Sequence, residues 1–306
     1  STLWPMMPKG MPNSSNCCVA ILTCRSSVRL PAEFLVKQSG SVGVRILLNL
    51  MLTYYGRGNA GRTLPADLAL RALSHDALFQ KNGQFHTMER FYWTEVGQLF
   101  ASNYPKESLM LAKRIIDHFG IEGTIVGRSH SNAHKVLMEI TKHCPCEVWE
   151  LVAERLTAPT DSRTFHLTSW LHGDRYSPGG ETGVLPLIPL DQIWKWVDTN
   201  REKRARHLAS FVPKQLFRSN ERPCLAREVL IRYGADSGVR NNLTANFSTE
   251  SWSGSRSLHY QEKRQRLLDF KKEELDTNVK LWIDEYVEDL QLSIDDARVR
   301  EEREAF

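Results

Sequence analysis

No run of apolar residues in this 306-residue chain is long enough to cross a bilayer, since the longest, residues 46–55, is short and interrupted by Asn49. A transmembrane class is excluded on that ground. Cysteine is scarce as well: six in a chain of this length do not make a disulfide scaffold, and the number suits a reducing cytosol. No basic-then-apolar leader opens the chain, because residues 17–22 are too few for the core of a signal peptide, so a cytoplasmic location is expected. The start at Ser1 without Met fits either trimmed processing or a piece of something larger. With 41% hydrophobic and 25% charged residues, the composition is neither disordered nor membrane-like.

Net charge is only +4, but its distribution is uneven. Residues 201–240 hold ten Lys or Arg against four acids, whereas residues 267–306 hold thirteen acids against six bases. Such asymmetry implies two surfaces with different partners, or surfaces of opposite sign that meet one another.

What the chain does have is a repeat. Asp236-Ser-Gly-Val239-Arg240-Asn-Asn-Leu243 recurs as Asp276-Thr-Asn-Val279-Lys280-Leu-Trp-Ile283, 40 residues later. An Asp at a helix start accepts hydrogen bonds from the first free backbone N–H groups, and apolar residues four apart share a helical face. Leu225, Ala226, Val229, Leu230 and Tyr233 form a preceding helix that stops at Gly234. Asp198-Thr-Asn-Arg201 copies the Asp276-Thr-Asn start, and Pro105 and Pro145 open helices 40 residues apart further upstream. A two-helix unit repeated near 40 residues cannot bury its own apolar faces and must stack on copies of itself.

These segments resemble the HEAT-repeat family, whose second helix begins with Asp followed by a Val-Arg pair. The resemblance implies an all-α fold: a right-handed α-solenoid of about six or seven stacked antiparallel helix pairs. It further implies that Arg201 and Arg240 pair with Asp198, Asp236 and Asp276 of neighbouring repeats. The Trp- and Arg-rich helix pairs, with an acidic last helix, are also similar in style to the C-terminal HEAT-like regions of large bacterial multidomain proteins. These include NACHT-type NTPases of antiviral defence, in which the solenoid senses a ligand.

In chain order, residues 1–31 read as an extended arm or the remnant of a preceding domain, and residues 32–306 as the solenoid. Helices are expected at residues 42–55, 65–79, 90–101, 105–119, 132–143 and 145–156. An insertion with a short helix near 165–171 and loop chemistry beyond it occupies residues 157–187. Helices resume at 191–197. The last, about 278–300, places Val279, Trp282, Ile283, Tyr286, Val287, Leu290, Ile294 and Ala297 on one face and charged residues on the other, as a terminal cap requires. The ending Glu301-Glu-Arg-Glu304 reads as a solvated face.

Several motifs suggest chemistry and then lose it. Gly56-Arg-Gly58-Asn-Ala-Gly61-Arg62-Thr63 nearly spells a P-loop, but Arg62 stands where the phosphate-reaching Lys is needed and the preceding run reads as helix rather than strand. Ser74-His75-Asp76 names a hydrolase triad, yet consecutive helical residues point about 100° apart and cannot relay a proton. Neither His130 with His134 nor His143-Cys144-Pro-Cys146 has the spacing of a zinc site. Glu139, Glu147, Glu150 and Glu154 are the exposed acids expected of amphipathic helices. No catalytic, metal or cofactor constellation is expected.

Two sets of candidate partner-binding residues remain. The basic set Arg201, Lys203, Arg204, Arg206, Arg218, Arg222 and Arg240 could line a curved groove for phosphates or for an acidic partner. The loop at residues 246–260 carries Trp252, Arg256, His259 and Tyr260, the residue types of binding hot spots, with Ser257 as N-cap of a helix from Leu258. The expected function is non-enzymatic recognition or scaffolding, with a protein or an upstream domain of the same polypeptide as partner and no membrane. Two alternatives stand beside it: a nucleic-acid-binding solenoid using the ladder at 201–240, and a HEAT-like DNA glycosylase, which would need an acid and aromatics converging on a groove.

Overall fold

The computed structural model describes residues 40–56, 63–81, 83, 85–127, 130–157, 162–172, 183–214, 224–249 and 253–304. The expected arm at 1–31, most of the glycine-rich turn at 56–63, and much of the 157–187 insertion lie outside them. Among the described residues there are thirteen α-helices, two short 3-10 turns and no β-strand. None of these helices is long and apolar enough to cross a membrane. The chain divides into two compact units at Leu167/Thr168.

In the first unit the helices are α1 (Gly40–Tyr55), α2 (Ala66–Leu73), α3 (Thr87–Asn103), α4 (Ser108–His118), α5 (His130–His143) and α6 (Pro145–Thr157). They alternate between two layers: α1 packs on α3 and α3 on α5, while α2 packs on α4 and α4 on α6. The five apolar residues expected on one face of a helix at 65–79 are all buried, but α2 ends at Leu73. A 3-10 turn at Asp76–Leu78 then carries Leu78 and Phe79 inward, with the His75 ring accepting from the Ala77 N–H. Pro105 precedes α4 by a turn rather than starting it, whereas Pro145 does occupy the first position of α6.

Helices α3 and α5 approach so closely that a Cβ built on Gly97 would lie 2.9 Å from Val136 Cγ2, which explains a glycine inside a helix. Trp93, fully buried, fills the space beside this crossing and donates its indole N–H to the Leu73 carbonyl at 3.0 Å. That carbonyl closes α2, where backbone acceptors have no partner of their own. Arg90 reaches the Ile125 carbonyl and the Tyr104 hydroxyl the Leu64 carbonyl in the same way.

The second unit begins within α7 (Ser162–His172) and continues as α8 (Leu190–Asp198), α9 (Arg201–Ala209), α10 (Leu225–Tyr233), α11 (Ser237–Ser248), α12 (Arg256–Glu273) and α13 (Thr277–Glu304). Helix α9 packs on α11, α10 on α13, and α12 runs along α13. Every residue expected on the inner face of the last helix is buried. Trp282, in its second turn, lies 5.4 Å from the Phe247 ring and 5.1 Å from Tyr286, with its indole N–H on Thr244 Oγ1.

Asp236 and Asp276 begin their helices as the repeat implies: Asp236 accepts from the Gly238 N–H, and Asp276 from those of Asn278 and Val279. Asp198 does not. It is the last residue of α8, and α9 starts three residues later behind Asn200, so the copied Asp-Thr-Asn letters fall in a different register. The helix after 253 starts at Arg256, with Ser255 rather than Ser257 as its N-cap. Glu301 is no idle surface acid: it accepts from the Ser257 N–H at 3.0 Å and from both Ser257 and Ser255 hydroxyls, closing the start of α12. Those hydroxyl and amide donors hold its carboxyl down to about 2.

The turn from α12 to α13 is tied to α10 by Glu274, whose buried carboxylate takes a bidentate grip from Arg227 at 2.7 and 2.8 Å. The Leu275 and Asp276 N–H groups add two further bonds. Arg227 is the main reason that the Glu274 pKa falls to about 2, opposed by burial. A depressed folded-state pKa means that this stabilisation is complete above the ordinary value of 4.5 and drains away as pH falls toward about 2. Urea unfolding between these limits should therefore show a pH slope that Glu274→Gln flattens. Trp282→Ala should cost about 3–5 kcal/mol by the same measurement, as expected for removing a fully buried indole, and Trp282→Phe distinctly less.

A candidate recognition surface

Helix α8 carries Trp194 and Trp196, two residues apart and therefore on opposite flanks, and each is covered by an arginine from elsewhere. The Arg232 guanidinium lies 4.8 Å over the Trp194 ring and the Arg204 guanidinium 5.2 Å over Trp196. Arg204 also donates to the Trp196 carbonyl at 2.8 Å. Arg201 lies 5.1 Å over the Tyr233 ring, donates to the Arg232 carbonyl, and Tyr233 in turn meets Trp194 edge-on at 5.9 Å. Cations and rings thus interleave along the start of α9 and the end of α10, each contact contributing on the order of 0.5–1 kcal/mol where it is exposed.

Beside this ladder is an open cleft of ≈ 360 Å³ lined by Arg201, Glu202, Ala205, Tyr233, Ala235, Asp236 and Val239. Its floor is apolar and its rim charged. Tyr233 joins the buried stripe of α10 as its spacing predicts, but its hydroxyl also donates to Asp198 Oδ1 at 2.9 Å. Burial first, and then the Asp198 bond, push the phenol up to about 12. Asp236 on the opposite side accepts a bidentate pair from Arg206 at 2.9 and 3.2 Å, as well as its own capping bond. Arg206 chiefly, against burial, holds that carboxyl below the usual range.

The basic set therefore divides by what each member touches. It is Arg206, and not Arg201 or Arg240, that pairs with Asp236; Arg240 grips Glu285 at 2.7 and 2.9 Å and the Gly234 carbonyl at 2.6 Å. The repeat spacing could not reveal this, because Arg206 lies one helical turn beyond the motif position and Glu285 is outside the motif. Arg201 and Lys203 remain exposed. Arg218, Arg222 and Trp252 lie outside the described residues.

Arg256, His259 and Tyr260 are gathered at the start of α12, where Arg256 donates to the Tyr260 hydroxyl at 3.1 Å and lies 5.4 Å over its ring. The His259 ring lies 5.7 Å from that of Tyr260, tilted by 52°. Of the histidines weighed for zinc, His134 stacks on Phe119 at 5.6 Å and His143 approaches Glu139 at 3.4 Å, while the His130 side chain lies outside the described residues. Ser74 donates to the Leu70 carbonyl and His75 caps the 3-10 turn, so the triad letters serve the backbone.

No family model, no curated protein and no solved structure matches this chain. Absorbance titration of the folded protein should show Tyr233 ionising above the ordinary value of 10, and Asp198→Asn should bring it lower.

Proposed function

We propose that this chain is a non-enzymatic recognition scaffold, a HEAT-like α-solenoid that takes a protein partner on the surface centred at the Arg201–Tyr233 cleft. The observation that carries this reading is the cleft itself: an apolar floor of Ala205, Ala235 and Val239 under a rim of both charges, with Arg201 and Glu202 exposed, the pairing of anchor pocket and charged rim by which protein surfaces select one another. Support for the solenoid comes from the alternate packing of helices in the first unit and from α9 on α11 in the second. The described helices can be grouped in chain order into six successive pairs with α7 between the third and fourth, a grouping that supports the reading.

The chemistry of the neighbouring acids favours recognition over catalysis. A glycosylase would place a carboxylate free to take a proton beside an aromatic in a groove. Asp236 does share the cleft with Tyr233, but both of its oxygens are engaged by Arg206 and the Gly238 N–H, and its lowered pKa makes it a poor base. A phosphate-binding ladder is disfavoured on similar grounds. Arg206 and Arg240 are each committed to a carboxylate through two hydrogen bonds, and releasing either would strand its acid.

A photo-crosslinking residue substituted for Glu202, at the cleft rim, should give discrete adducts with a protein partner in the native host. The same residue at Lys113, on exposed α4, should not. Arg201→Glu with Lys203→Glu should abolish the cleft adducts while leaving thermal unfolding unchanged to within a few degrees. Equal labelling from both positions would reject the assignment. So would RNA or DNA retention on filters at low salt that is lost on the same substitutions, which would transfer the surface to nucleic acid.

A further inference from the structure

The three turns that join the helix pairs of the second unit, α8 to α9, α10 to α11 and α12 to α13, lie side by side. Arg201, opening α9, donates to the Arg232 carbonyl near the end of α10, and the Tyr233 hydroxyl beside it reaches Asp198 at the end of α8. On the other flank Arg227 of α10 holds Glu274 in the third turn, and Asn278 donates to the Ile231 carbonyl. A Cβ built on Gly234 would lie 2.9 Å from that of Asn278. These contacts make one edge of the three turns, and two apolar features interrupt it.

The first is the cleft between the first two turns. Ala205, Ala235, Val239 and Tyr233 line it, and its ≈ 360 Å³ exceeds the roughly 150 Å³ that suffices to enclose a benzene. One large aliphatic or aromatic side chain therefore fits. The lining carries no excess of either sign: Arg201 and Glu202 stand next to each other, both exposed, and Glu202 shares Arg206 with Asp236. The second feature is Leu275 in the third turn, 87% exposed and the most exposed large apolar side chain among the described residues. Its backbone is pinned, since the Leu275 N–H donates to the same Glu274 oxygen that Arg227 holds.

We propose that this edge seats an amphipathic segment of a partner protein that presents two apolar side chains on one face. One fills the cleft and the other covers Leu275, with an acid opposite Arg201 and a base opposite Glu202. This rests on the reading of the cleft as a recognition surface and gives the chemistry of what it recognises. An exposed leucine gains by burial, and a buried anchor between rim charges of both signs excludes a partner of uniform sign, because one rim charge would then face its like. Apolar area holds such a contact together, so salt affects it little, unlike a basic ladder on phosphates.

Selection of a displayed library of random linear peptides on the full chain tests this. Enriched sequences should carry two apolar residues with both an acid and a base between or beside them. An enriched peptide, labelled and followed by fluorescence anisotropy, should bind about tenfold or more weakly to Ala235→Trp, which fills the cleft, and to Leu275→Ser. Both positions are exposed, so circular dichroism and thermal unfolding should stay as in the wild type. Raising salt from about 0.1 M to about 1 M, which shortens the screening length from about 10 Å to about 3 Å, should change the affinity by less than about threefold. No enrichment, enriched peptides of one charge sign, loss of binding in salt, or binding indifferent to either substitution would each overturn the proposal. Adducts of a native protein at position 202 would survive every one of these failures, since crosslinking reports contact and not its chemistry; absence of those adducts would reject the recognition reading instead.

Discussion

Helices cannot finish their own ends: the first N–H groups and the last carbonyls of each must find partners elsewhere. In this protein several of those partners are side chains from another helix. Asn246 on α11 donates to the carbonyls of Ala209, which ends α9, and of Val212 beyond it, Asn242 to the Arg206 carbonyl, and Asn278 on α13 to the Ile231 carbonyl of α10. Glu301 closes the start of α12 from the far part of α13. Bidentate arginine pairs, Arg206 with Asp236, Arg227 with Glu274 and Arg240 with Glu285, add charge to the same kind of tie. Burial of the apolar stripes supplies most of the stabilisation, but it is not directional, and these polar ties set which hairpin faces which and in what register.

Much of the local structure was legible in the residues themselves. The stripe from Val279 to Ala297 is buried as its spacing predicts, and Asp236 and Asp276 cap the helices they precede. Asp198 was misleading because three letters of a motif carry no information about where the previous helix stops; α8 runs on through Asp198, driven by its buried Trp194, Trp196 and Val197. Likewise Ser255 and Ser257 are equally good caps by residue type, and only the arrival of Glu301 at Ser257 settles the distribution of bonds.

The candidate surface was less legible. Arginines at 201–240 could be counted, but not sorted into committed and exposed, because their partners lie 30 to 47 residues away in the chain. The cleft depends on Ala205, Ala235 and Val239 meeting from two helices and a turn, small residues that no motif singles out.

The reach of the polar ties in the second unit has a consequence for how change spreads. Apart from Glu301, which closes its own hairpin, each of these ties connects a hairpin to the next one along, so a perturbation introduced at one turn is passed directly to one neighbour. A surface built this way can be edited locally: residues around the Arg201 cleft can diverge, or a hairpin elsewhere loosen, without the fold having to be renegotiated as a whole.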